Sequence, residues 1–208
     1  MNKSVPRLYT QFQSNHYDLR LALDETKQMF YGTVTITGKK VNRPSKRLTF
    51  HANGIRITNA SITYHGKKES VSVDIARINH QKSFHEVRLH TEAQLFPGDY
   101  EVVMEFQAPI SAAMTGIYPS HYKDNGKDKT MYATQFESHH AREAFPCIDE
   151  PEAKATFALT MLTEASHVVL SNMPVATELS ADESNPLAAK VTSKSPLKVT
   201  TFETSPKM

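Results

Sequence analysis

The chemistry in this chain gathers in one stretch, Thr134-Gln-Phe-Glu-Ser-His-His-Ala-Arg-Glu-Ala-Phe-Pro-Cys-Ile-Asp-Glu-Pro-Glu-Ala-Lys-Ala-Thr-Phe157. Gln135, Glu137, Arg142, Asp149, Glu150 and Lys154 surround a Phe145-Pro146-Cys147 turn. If Gln135 and Glu137 lie in a strand they share a face, with Phe136 on the other. A carboxylate beside an amide makes a receptor for an ammonium group, one supplying charge and the other a second acceptor. A charge-assisted hydrogen bond of that kind is worth about 1.5–3 kcal/mol net. The same two residues also suit an ordinary exposed strand face, and residue types alone leave both readings open.

The other polar residues point to structure. Asp149 and Glu150 are sequence neighbours whose side chains diverge, which argues against an acid–base pair. An acidic cap followed by an early proline predicts a helical turn near Asp149-Glu150-Pro151-Glu152-Ala153. Arg142 and Lys154 would neutralise these carboxylates. Cys147, within Phe-Pro-Cys-Ile, reads as a small buried hydrophobe, because a nucleophile needs a positioned base.

Ten histidines raise the question of metal. His85-Glu-Val-Arg-Leu-His90 is a near miss to the zincin pattern, which needs two histidines one helical turn apart at i and i+4. The spacing here is i+5, and on a strand that sends the two rings to opposite sides. Solvated strand residues are the expectation. His139-His140 reads as a surface or loop pair, since adjacent rings need a third ligand close by. No metal site is expected within these residues.

Period-two alternation supplies the elements that would position these groups. Tyr17, Leu19, Leu21 and Leu23 point one way; Phe30, Gly32, Val34 and Ile36 form a second set. Leu48 and Phe50 precede an Ala52-Asn53-Gly54 turn, with Ile55 and Ile57 after it. Val71, Val73 and Ile75 alternate, Val87 and Leu89 form a short piece, and Tyr100, Val102, Met104 and Phe106 follow Pro97-Gly98-Asp99. Phe157, Leu159 and Met161 continue the pattern, and Val168 to Leu170 is a last apolar run. Short strands divided by Gly, Pro, Asn and Asp predict an all-β, multi-sheet sandwich without an amphipathic helix. Tyr118 to Lys129 and Leu179 to Ser195 are polar and turn-rich, and are expected to be irregular. Lys198 to Met208 alternates as a strand.

At 208 residues, with 39% hydrophobic and 22% charged, the chain has ordinary globular composition, and it is expected to form one all-β domain over residues 1–208. The net charge of +2 is interspersed and the mean hydropathy is −0.47, so neither nucleic acid nor an anionic membrane is indicated as a partner. The single cysteine allows no intrachain disulfide. The opening Met-Asn-Lys-Ser-Val-Pro-Arg-Leu-Tyr-Thr has no apolar core of a secretory leader, and no run approaches the ~20 residues of a spanning helix. A cytoplasmic location is the expectation.

The Thr134–Phe157 stretch resembles, without a gap, the signature of the aminopeptidase N family of zinc exopeptidases: Thr-Gln-Phe-Glu, then Ala-Arg, then Phe-Pro-Cys-x-Asp-Glu-Pro-x-x-Lys-Ala-x-Phe. His16-Tyr-Asp-Leu19, Phe30-Tyr-Gly-Thr-Val-Thr-Ile36, Leu48-Thr-Phe-His-Ala52, Gly116-Ile-Tyr118, Ser171-Asn-Met-Pro174 and Ser205-Pro-Lys-Met208 also look like family stretches, so the likeness covers nearly the whole chain. Ser138-His-His140 departs from the commoner Pro-Thr-Asp and is similar to the variant of lactic acid bacteria. The resemblance implies a saddle-shaped, all-β amino-terminal domain that closes over a thermolysin-like catalytic domain. It implies that Glu137 binds the free α-amino group of a peptide substrate and that Gln135 lines the pocket for the first side chain. In the family the zinc ligands, a His-Glu-x-x-His general base and a Gly-x-Met-Glu-Asn motif lie further along. There, zinc polarises the scissile carbonyl and activates water. None of those motifs occurs in these 208 residues. The expectation is therefore a recognition domain, inactive and zinc-free alone, whose partners are peptides with a free amino terminus and the missing catalytic domain. An apolar patch near Phe136 or Phe145 would be left bare. A rival reading is a non-enzymatic β-domain that acts as a protein-interaction scaffold. A carbohydrate-binding sandwich is weaker, because the chain has no tryptophan.

Overall fold

The computed structural model describes residues 7–182, 184–193 and 195–208. Residues 1–6 of the opening stretch, and Glu183 and Lys194 within the polar 179–195 segment, lie outside the described residues.

The backbone forms β1 (Phe12–Asp24), β2 (Met29–Lys40), β3 (Ser45–His51), β4 (Arg56–His65), β5 (Ser70–Val73), β6 (Ile75–Gln81), β7 (Glu86–Leu95) and β8 (Gly98–Pro109). It continues with β9 (Gly116–Asp124), β10 (Lys127–Gln135), β11 (Thr156–Glu164), β12 (Val175–Ser180) and β13 (Leu197–Phe202). Helical structure among the described residues is limited to single 3-10 turns. One sheet runs β12-β13-β11-β1-β2-β8-β4-β5, a second β3-β7-β6, and β9 and β10 pair as a hairpin. The expected all-β, multi-sheet class is what the chain adopts.

Alternation explains the two packed sheets. Val34 and Ile36 of β2, Val102 and Met104 of β8, and Phe50, Val87 and Leu89 of the small sheet are all sealed from solvent in one core. Phe12 meets Phe50 edge-on at 5.4 Å, which joins the first strand to the small sheet. β1 departs from one-sided burial at its end. Ala22 packs on the other face with Leu162 and Leu187, and Asp24 is buried while Leu23 is half-exposed. The Asp24 carboxylate accepts from the Lys27 and Thr192 backbone amides at 2.9 and 2.8 Å, so its burial is compensated.

β1 and β11 pair in parallel, with Tyr17 opposite Phe157. The two rings stack at 5.0 Å. This ladder fixes the far end of the Thr134–Phe157 stretch to the centre of the large sheet.

Five expectations need correction, and the first is that the strand expected over Lys198 to Met208 ends at Phe202. Tyr118 to Lys129 is not irregular but most of the β9–β10 hairpin. Both of its faces are largely wet, so the strands lack apolar alternation. The turn is Asn125-Gly126, at φ 50° and 77°, which is ordinary for a tight hairpin. Val71, Val73 and Ile75 do not form one strand; the first two belong to β5 in the large sheet and Ile75 to β6 in the small one. Val168 to Leu170 forms no strand, and Val168 and Leu170 are 84% and 87% exposed. Asp149 to Ala153 turns without becoming a helix, because Glu150 is drawn to the amino-terminal segment instead of capping its own.

Candidate functional site

The end of β10 and the segment after it carry the signature residues. β10 stops at Gln135, and residues 137–140 form a turn, closed by the His140 amide donating to the Phe136 carbonyl at 2.8 Å. Glu137 is therefore not a strand residue as the alternation suggested. The alternation of faces nonetheless persists through it. Gln135 and Glu137 are exposed, whereas Phe136 is half-buried, 6.1 Å edge-on from the Phe145 ring. The Gln135 amide nitrogen lies 3.5 Å from the Glu137 carbonyl oxygen, so the two residues sit side by side. The peptide bond between Glu137 and Ser138 is cis.

The remainder of the signature builds a platform beneath this turn. His51 and Cys147 exchange backbone hydrogen bonds of 2.8 and 3.1 Å. The Asp149 amide donates to His51 Nδ1 at 3.0 Å, and the Ile148 amide to the Tyr17 hydroxyl at 3.0 Å. Phe145, Cys147 and Ile148 are buried. Arg142 Nε donates to Asp149 at 2.8 Å, and its Nη2 to the Asp149 carbonyl at 2.9 Å. Glu150 accepts from the Leu8 amide at 2.6 Å and from Arg7 Nε at 3.1 Å. Arg142 thus plays its expected neutralising part. Lys154 does not, because Arg7 takes that position, and Lys154 forms no ion pair among the described residues.

Burial sets the protonation of the platform. It pushes the Cys147 thiol well above its ordinary value, with Asp149 adding to the effect, so the cysteine is an inert core residue. Burial also holds the His51 imidazole down at about 4, helped by the Arg142 charge, which keeps Nδ1 free to accept from Asp149. Burial raises the Tyr17 hydroxyl likewise.

Glu143 buttresses the turn from below. It takes the Asn53 amide at 3.2 Å and faces His140 Nδ1 at 3.1 Å. Burial works to raise its carboxyl, but hydrogen bonds from His140, Thr115 and Asn53 outweigh that and hold it below the usual range. Gly116 makes this approach feasible. Its φ is +66°, and a Cβ there would lie 2.9 Å from the Glu143 Cβ.

Of the two histidines expected on a strand, only His90 lies on one. His85 occupies a left-handed turn position and His90 lies within β7. His139 and His140 stack at 4.6 Å on the surface turn. Among the described residues no three His, Cys, Asp or Glu side chains come together in a way that could hold a metal ion. A zinc ion does not fit the donor sets found here. The expected bare patch is also misplaced. Phe145 is buried and Phe136 half-buried, while Val168, Leu170 and Leu179 are the strongly exposed aliphatic side chains.

Sequence reasoning missed the Gly116–Glu143–His140–Asn53 buttress and the tie from His51. Gly116 and His51 both stood in stretches quoted for the family likeness, but nothing in their local pattern announced a contact.

A multi-sheet β domain with a buried Phe-Pro-Cys platform and a solvent-facing Gln-x-Glu turn is the class of structure that fold and site define together. Residues 13–208 match the family described as the Peptidase M1 N-terminal domain, and the chain belongs to that family. It is 36% identical to Aminopeptidase N of Lactococcus lactis subsp. lactis over 211 residues, covering 100% of this chain and 22% of that protein. Aminopeptidase N of Lactobacillus helveticus is 36% identical over 173 residues, covering 82% of this chain and 19% of that protein. Glutamyl aminopeptidase of Sus scrofa is 33% identical over 172 residues, covering 81% and 18%. The chain spans about a fifth of the length of the curated relatives it matches. No helix among the described residues is long and apolar enough to cross a membrane.

Proposed function

We propose that residues 1–208 form a single all-β domain that recognises the amino-terminal end of peptide substrates for a longer, cytoplasmic zinc aminopeptidase. Glu137 binds the substrate's terminal ammonium, and Gln135 borders the pocket for its first side chain. One observation carries this reading. The Glu137 carboxylate is exposed beside Gln135, and it accepts no hydrogen bond and forms no ion pair among the described residues.

The physical logic is that of counting from a chain end. A terminal ammonium carries charge and an internal amide does not, so a waiting carboxylate discriminates between them. Binding energy gained there holds the first peptide bond in register with a catalytic group elsewhere, through positioning alone. The chemistry belongs to the remainder of the enzyme, and the chain alone is inactive.

The test uses the full-length protein and an aminoacyl chromogenic substrate. Glu137→Ala lowers kcat/KM by at least about tenfold, the equivalent of one lost charge-assisted contact. Unchanged kinetics would remove Glu137 from the site. Turnover by the 208-residue chain alone would overturn the division of labour. A downstream coding sequence without His-Glu-x-x-His would favour a protein-interaction scaffold instead.

A further inference from the structure

A second site lies under the β2–β3 connection, and it is defined by unbalanced positive charge. A cleft of about 420 Å3 opens there, lined by Lys40, Arg43, Lys46, Arg47 and His90 together with Val41 and neutral polar side chains. No Asp or Glu lines it among the described residues. None of its four Lys and Arg side chains forms an ion pair with a described residue, unlike Arg142, Lys190 or Lys198 elsewhere in the fold.

Two independent features make this more than a solvated surface. Lys40 is only 3% exposed, yet its ammonium is recorded donating to a single acceptor, the Arg43 carbonyl at 2.9 Å. An ammonium has three donors, and a buried one without a counter-charge is costly. Burial accordingly lowers the Lys40 pKa, with no acid to raise it. The second feature is a pair of guanidinium groups on one face of the small sheet. Arg47 of β3 and Arg77 of β6 both stand opposite His90 of β7 in the ladder, which puts all three on one face. Burial and the neighbouring arginines lower the His90 pKa, so a neutral ring separates two positive charges on that face.

We propose that this cleft binds an oligophosphate chain, free or carried by a nucleotide. Such a chain brings several negative charges and many acceptor oxygens in a row. It would meet the forked Arg43 and Arg47 guanidinium groups, the unspent Lys40 donors and the Lys46 charge together. The proposal does not depend on the Gln135–Glu137 reading.

Isothermal titration of the 208-residue chain at matched ionic strength, with sodium tripolyphosphate in one arm and adenosine triphosphate in the other, tests it. Saturable one-to-one binding is expected, and the tighter arm identifies the source of the phosphates. Arg43→Ala/Arg47→Ala changes only exposed side chains and should weaken that binding at least about tenfold. Lys40→Met should weaken it further, and the double variant keeps the test decisive if Lys40→Met fails to fold. Absence of saturation in both arms, or equal affinity in Arg43→Ala/Arg47→Ala, would overturn the proposal.

Discussion

Two halves of one short segment behave in opposite ways. From Arg142 to Glu152 every acid is engaged: Asp149 with Arg142, and Glu150 and Glu152 with Arg7. Glu143 is likewise held by His140 and Asn53. Just before Arg142 in the chain, Gln135 and Glu137 face solvent, and the Glu137 carboxylate has no partner among the described residues. The same residue types serve architecture in one half and face solvent without a charged partner in the other. Under the proposed function, a polar group that makes no contact within the fold, on a turn the fold holds in place, is left free for recognition.

That contrast can be broken by substitution. The largest effect should come from Arg142→Ala, which strands the half-buried Asp149 carboxylate. A loss of about 3–5 kcal/mol is expected, read from the urea midpoint. A loss below about 1 kcal/mol would mean the platform does not rest on that pair. Gly116→Ala comes next, at about 1–3 kcal/mol, because it forces a side chain into left-handed backbone against Glu143.

Acid should act on the platform through His51. His51 has a folded pKa of about 4, below its ordinary 6.5. A depressed histidine contributes stability that is complete above the unfolded value. That stability drains as pH falls from about 6.5 through about 4, where the folded ring protonates. Urea midpoints measured across this window should decline, and His51→Asn should flatten that part of the slope. An unchanged slope would show that His51 does not couple folding to protons. The smallest effect belongs to Glu137→Ala, which should move stability by less than about 0.5 kcal/mol while disabling recognition in the longer enzyme. A large drop in stability would erase the distinction between the two halves.

Strands with one dry face were legible in the sequence. β2 and β8 show their burial directly in Phe30-x-x-x-Val34-x-Ile36 and Tyr100-x-Val102-x-Met104. The β9–β10 hairpin was hidden, since strands wetted on both faces carry no period, and only Asn125-Gly126 signalled the turn. Val168 to Leu170 misled in the other direction, because apolar residues without a partner sheet read like a strand. For Gln135 and Glu137 the residue types left two readings open and the family resemblance chose between them, while Phe136 kept the expected opposite face. The acids nearby were read as a helix cap because the pull of Arg7 and Leu8 on Glu150 spans more than 140 residues. Contacts of that range leave no local pattern to find.

The parallel pairing of β1 with β11 has a consequence for how the protein is born. His16 meets Thr156 across 140 positions of sequence, and no nearer strand fills that slot. A nascent chain emerging from the ribosome therefore carries an open flank on its first strand until almost four-fifths of these residues have been made. Contacts so remote are slow to form, and they leave the early strand available to stray partners in the meantime.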